Sequence, residues 1–109
     1  MADPKSGVEL IAAERARQIE VEGYSIEHDE YHAGAALAIA ACCYALPQHM
    51  RKWRHHPGPS LVSVPTLWPW SPSDWKPSDD DRVRDLVKAG ALLAAEIDRI
   101  QRAGGASGG

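Results

Sequence analysis

The chain has 109 residues, 44% of them hydrophobic and 25% charged, with a formal net charge of −3. These proportions exclude a wholly disordered chain and a fibrous repeat, and the length allows one domain. No apolar run reaches the roughly 18 residues of a membrane span, and the acidic balance argues against a grip on nucleic acid through its phosphates.

The start, Met1-Ala2-Asp3-Pro4-Lys5-Ser6, lacks the basic-then-apolar pattern of a secretory leader, so a cytoplasmic location is expected. A first helix is predicted over about residues 7–21. Val8, Ile11, Ala12, Ala16 and Ile19 recur at three- and four-residue steps and form the expected core stripe. Glu14, Arg17 and Glu20 fall on the opposite side, with Arg15 at the edge of the stripe.

A second helix is predicted over about 29–46, stopped by Pro47. From Ala33 to Leu46 it is apolar almost all round and rich in alanine, the pattern of a helix buried on most sides. Three helices offer few partners to cover it, so a homo-oligomer assembled through this helix is expected. Cys42 and Cys43 are neighbours on it, pointing about 100° apart, and read as small buried hydrophobes in a reducing compartment.

The third helix is predicted over about 79–102, with Ser78 as N-cap and Asp79, Asp80 and Asp81 in the first turn. Val83, Leu86, Val87, Gly90, Leu93, Ala94, Ile97 and Ile100 form its long apolar stripe. Leu92 lies on the far side with Ala89 between, which suggests a second buried face. Residues 103–109 read as a flexible tail.

The loop over 47–78 holds seven of the eight prolines and all four tryptophans. Leu61-Val62-Ser63-Val64 suits a short strand, but no neighbouring run offers it an evident mate. The basic run Arg51-Lys52-Trp53-Arg54-His55-His56 reads as a solvated loop. Trp68, Trp70 and Trp75, stiffened by prolines, are expected to lie across the helices and present aromatic faces for stacking. Lys76 follows directly, suited to a phosphate.

Glu27 and Glu30 are three residues apart, so on a helix they share a face and suit one divalent ion. His28-Asp29 is an HD dipeptide, but no histidine precedes it to complete the metal-dependent phosphohydrolase pattern. Glu27-x-x-Glu30 is also the first half of the two-helix carboxylate pattern of MazG-like pyrophosphohydrolases. The third helix offers Asp81, Asp85, Glu96 and Asp98, but no ExxD. No Gly-rich phosphate loop, nucleophile elbow or zinc-spaced Cys/His set is present.

Several linked segments resemble a family of small phage and prophage accessory proteins, sometimes labelled MazG-like or dATP/dGTP diphosphohydrolase. They are Ile11-Ala12-Ala13-Glu14-Arg15, Glu22-Gly23-Tyr24 with Glu27-His28-Asp29, Trp68-Pro69-Trp70, Trp75-Lys76-Pro77 and Arg84-Asp85-Leu86-Val87-Lys88-Ala89-Gly90. The resemblance implies a phage counter-defence role in the host cytoplasm.

The expected architecture is an all-α, three-helix domain spanning 1–102, with the Pro/Trp-rich loop packed across it and self-association. The expected function is binding of a nucleotide-type ligand to sequester a host immune signal, with no cofactor. Trp68, Trp70 and Trp75 would enclose the base, Arg15, Lys76 and Lys88 would meet phosphates, and His28 with Asp29 would hold sugar hydroxyls. One alternative is a magnesium-dependent nucleotide pyrophosphohydrolase using Glu27, Glu30 and Asp29. The other is an inhibitor that docks on a host defence protein.

Overall fold

The structure, a computed structural model, describes residues 5–20, 35–56, 62–78 and 80–105. It is mostly helical: α1 (Gly7–Glu20), α2 (Ala36–Ala45) and α3 (Arg82–Gly105) are joined by a small two-stranded sheet, β1 (Trp53–His56) and β2 (Val62–Pro65). No helix among the described residues is long and apolar enough to cross a membrane.

α1 opens on a reciprocal cap. Ser6 Oγ accepts the Glu9 N–H, and Glu9 Oε1 accepts the Ser6 N–H, which satisfies donors that the first turn leaves open. The helix does not turn its predicted stripe inward. Val8 is 79% exposed, Ile19 is 44% exposed, and the buried side chains are Glu14 and Gln18. The reason lies on α3, which presents Arg84 to the Glu14 carboxylate at 2.6 Å. A charge partner on the neighbouring helix outweighs a stripe in which two of the five residues are alanine.

α2 is built of small residues and ends where Leu46 turns extended before Pro47. Its last turn holds no basic residue, so its open carbonyls need donors from elsewhere. Arg51 supplies Nε to the Cys43 carbonyl at 2.9 Å and Nη2 to the Tyr44 carbonyl at 3.3 Å. Arg82 reaches the carbonyls of Tyr44, Ala45 and Leu46. Leu37, Ala40, Ala41, Cys43 and Tyr44 are all buried within one copy. The face expected to need a second copy is thus largely covered by α3 and by tryptophan rings. Cys42 is exposed and Cys43 buried, and burial pushes the Cys43 thiol pKa up.

The loop contains structure that the sequence reading did not find. β2 pairs antiparallel with β1, Arg54 opposite Val64 and Trp53 opposite Pro65. The mate that Val62–Val64 seemed to lack is the basic run itself, which is therefore not a solvated loop. Arg51 is 7% exposed and pairs with buried Asp85 at 3.5 Å. Arg54 donates to the Trp68 carbonyl at 3.0 Å.

α3 starts at Arg82, later than expected, because Asp81 and not Ser78 caps it. Asp81 Oδ1 accepts the Arg84 N–H at 3.0 Å, as an N-cap side chain does. The Ser78 N–H instead donates to Asp85 Oδ1 at 2.8 Å. The helix continues to Gly105, into the predicted tail, and residues 106–109 lie outside the described residues. Its buried positions are Asp85, Val87, Ala89, Ala91, Leu92 and Ala95. The core joins Leu37, Ala40, Ala41, Cys43 and Tyr44 of α2 with Ala89, Leu92 and Ala95 of α3, Val64 of β2, Trp68 and Trp75.

Candidate functional site

A cleft of about 210 Å³ opens between α1, α3 and the segment from Trp68 to Lys76. α1 contributes Glu14, Arg17 and Gln18, α2 contributes Tyr44, and α3 contributes Arg84, Lys88 and Leu92. Trp68, Trp70, Asp74 and Lys76 form the remaining wall.

The aromatic wall is set by prolines and ring packing. Trp68 is 3% exposed and meets Tyr44, Trp70 and Trp75 edge-on, with centroids 5.6, 5.4 and 5.0 Å away. Its Nε1 donates to the Ser71 carbonyl at 2.9 Å, which fixes the ring plane. These edge-to-face contacts place the positive rim of one ring on the negative face of another. A 3-10 turn over Pro72–Asp74 follows, and Trp75 then folds back to lie 4.6 Å from Tyr44. The Arg51 guanidinium lies over the Trp75 ring, 5.1 Å from its centre. Trp75 is therefore a core ring that holds the wall in place, and it does not line the cleft. Trp70 is half-buried and lines it.

The backbone at Lys76 is held from two directions. Its N–H donates to the Tyr44 hydroxyl at 3.1 Å, and its carbonyl accepts Lys88 Nζ at 2.6 Å. The same Lys88 ammonium stands 5.4 Å from the centre of the Tyr44 ring. Burial, with the Arg84 charge next in size, lowers the Lys88 pKa below its ordinary 10.5.

On the opposite wall a carboxylate is fully engaged. Glu14 Oε1 accepts Arg17 Nε at 2.8 Å and Arg84 Nη1 at 2.6 Å, and Oε2 accepts Arg17 Nη2 at 2.8 Å. Burial by itself would raise the Glu14 pKa, but the hydrogen bonds from Arg17 and Arg84 outweigh it and bring it to about 2. Gln18 Nε2 adds a donor to Oε2 at 3.3 Å.

The lining thus carries four cationic side chains (Arg17, Lys76, Arg84, Lys88) against two carboxylates (Glu14, Asp74), a local positive excess on a chain whose net charge is −3. Such a cleft can accept an anionic group beside an aromatic plane.

Of the residues singled out in the sequence, Trp68, Trp70, Lys76 and Lys88 meet in this cleft. Arg15 lies elsewhere on α1, 3.8 Å from Asp98 of α3. Glu27, His28, Asp29 and Glu30 lie outside the described residues. Among the described residues no three histidine, cysteine or acidic side chains gather as a metal-holding group. Sequence reasoning missed Glu14, Arg17, Gln18, Tyr44 and Arg84. The available signal was Glu14, Arg17 and Gln18 at i, i+3 and i+4, one polar helix face.

The chain matches no family model, no curated protein and no solved structure.

Proposed function

We propose that the chain binds a nucleotide-type ligand in the cleft between α1, α3 and the Trp68–Lys76 segment, and holds it without turning it over. The observation that carries this reading is the convergence of Trp70 with Lys76, Lys88, Arg84 and Arg17 on one cavity. A nucleotide offers what those groups take: a flat π-face for an indole and a phosphate for ammonium and guanidinium groups. Stacking on an aromatic side chain contributes about 1–3 kcal/mol per base, and charge-assisted hydrogen bonds to phosphate are the stronger kind.

At about 210 Å³ the cavity is smaller than the roughly 300–1,000 Å³ of pockets that enclose drug-sized ligands. It suits one base with its nearest phosphate, the remainder of the ligand running outside. By the resemblance of its linked motifs to phage accessory proteins, the biological role in this reading is sequestration of a host immune nucleotide. Arg84 and Arg17 also hold Glu14, so their charge is partly spent. Lys76 and Lys88 are the principal phosphate donors.

Fluorescence titration tests the reading, because Trp70 reports on its own cleft. Addition of a panel of nucleotides and cyclic oligonucleotides in the presence of chelator is expected to quench tryptophan emission saturably for at least one of them. Lys76→Ala and Trp70→Ala should each weaken that response about tenfold or more. Product formation that requires magnesium would favour the pyrophosphohydrolase instead. Absence of any nucleotide response would leave the defence-protein inhibitor.

A further inference from the structure

A buried polar atom at the cleft has nothing to bond. Gln18 of α1 lines the cleft and is 3% exposed, yet its Oε1 has no hydrogen-bond partner among the described residues. Leaving a buried acceptor unbonded costs stability, so a ligand that brings a donor to this amide recovers what the empty cleft forgoes.

The orientation of the amide is settled by its neighbour. Gln18 Nε2 donates to Glu14 Oε2 at 3.3 Å. Glu14, with a pKa of about 2, is ionised near neutral pH and only accepts, so the amide must offer it the NH2 and not the oxygen. That bond is also dispensable. The same carboxylate holds three shorter ones, at 2.6 to 2.8 Å, from Arg17 and Arg84. The terminal torsion of a glutamine is soft, so the amide can turn from Glu14 to the cleft while the helix stays in place.

We propose that Gln18 reads the base of the ligand and selects adenine, its Oε1 accepting from the exocyclic amine and its Nε2 donating to the adjacent ring nitrogen. This rests on the nucleotide reading above and adds to it the identity of the base.

The polar groups of the cleft favour adenine over the other bases. Among the residues that line it, Gln18 alone carries an amide, and an acceptor beside a donor matches the amine and N7 of adenine. Guanine presents two acceptors on that edge, which suit arginine, but Arg17 and Arg84 are already bound to Glu14. Cytosine carries an amine beside a ring nitrogen on a single ring, which gives the Trp70 indole a smaller face to stack on.

Fluorescence titration of the full chain with AMP, purine riboside 5′-monophosphate, IMP, GMP and CMP tests this. Purine riboside monophosphate differs from AMP only in lacking the amino group. AMP is expected to bind about tenfold more tightly than each of the others, within the discrimination of one good bidentate pair. Gln18→Met keeps the length of the side chain and leaves Glu14 its arginine bonds. In that variant AMP should weaken to the level of purine riboside monophosphate, whose own affinity should not change, and helical circular dichroism should match the wild type.

Equal binding of AMP and purine riboside monophosphate by the wild type would overturn the proposal and leave the nucleotide reading standing. That comparison needs no variant, so it holds even where Gln18→Met fails to fold. A preference for AMP that survives in folded Gln18→Met, or tighter binding of GMP or CMP, would overturn it equally. So would a chain that binds some other nucleotide but none of these five. A chain that responds to no nucleotide at all would remove the nucleotide reading, and this proposal with it.

Discussion

Arg84 Nη1 on α3 stands 2.6 Å from Glu14 Oε1 on α1, and this contact turns the polar face of the first helix inward. The Glu14 side chain is 2% exposed while that of Arg84 is 34% exposed, so the carboxylate carries most of the desolvation and the guanidinium keeps contact with water. Replacing Glu14 with leucine leaves Arg17 and Arg84 without their acceptor. The expected loss is about 1–3 kcal/mol of stability, below the loss for a fully buried pair because both arginines are partly solvated. Urea denaturation measures it.

The same carboxylate gives the fold an acid limit. Its folded-state pKa of about 2 lies below the ordinary 4.5, so the unfolded chain binds the proton more readily. The stabilisation is complete above the ordinary value and is lost as pH falls through the folded one. Denaturation midpoints should therefore fall between pH 5 and pH 2 in the wild type. In Glu14→Gln that part of the fall should be absent, and an equal slope in both proteins would refute the assignment.

Lys88 should make ligand binding sensitive to alkali. Its pKa lies below 10.5, from burial first and the Arg84 charge second, so it sheds its proton at lower pH than an ordinary lysine. Affinity for a phosphate-bearing nucleotide is expected to decline with rising pH before free lysines titrate. Lys88→Met should lower affinity by about 1–2 kcal/mol and remove that decline. Binding isotherms at a series of pH values read both effects.

The tryptophans separate into two roles that mutation distinguishes. Trp68 is a core ring with three aromatic neighbours, so Trp68→Ala should cost about 3–5 kcal/mol and threaten folding. Trp70 is only half-buried, so Trp70→Ala should cost about 1–2 kcal/mol of stability while abolishing most ligand binding. Thermal denaturation and titration of both variants check the division.

Gly90 of α3 packs directly beneath the Ile11 side chain of α1. A Cβ there would lie 2.5 Å from Ile11 Cδ1 and 2.7 Å from Cγ1, so Gly90→Ala forces Ile11 to move. Overpacking costs about 1–3 kcal/mol, offset in part by the roughly 1 kcal/mol helix preference of alanine over glycine. Trimming the opposing side chain should reveal the clash: Gly90→Ala is expected to be better tolerated in an Ile11→Ala background, with a coupling of about 1 kcal/mol or more.

The helices and four of the eleven residues lining the cleft were legible in the sequence, because they rest on local pattern. Proline bounds α2, the 3.6-residue period marks α3, and a Trp/Pro run followed by Lys76 announces an aromatic wall with a cation. What escaped depends on contacts between distant segments. Nothing near Glu14 foretells Arg84, and the apolar stripe of α1 pointed to the wrong face. The pairing of β1 with β2 was hidden because Trp53-Arg54-His55-His56 shows no alternation of apolar and polar residues. On α3 the eye follows the larger side chains of Leu93 and Ile97, whereas the small Ala89 and Ala95 allow α2 to approach closely.

The central claim is that the chain binds a nucleotide and releases it unchanged. The most direct test incubates purified protein with nucleotides and cyclic oligonucleotides, with and without magnesium, and quantifies free ligand by chromatography before and after heat denaturation. The account predicts that one ligand disappears from solution, with or without the ion, and returns intact on heating. Conversion to product only with magnesium, or no depletion of any ligand, would contradict it.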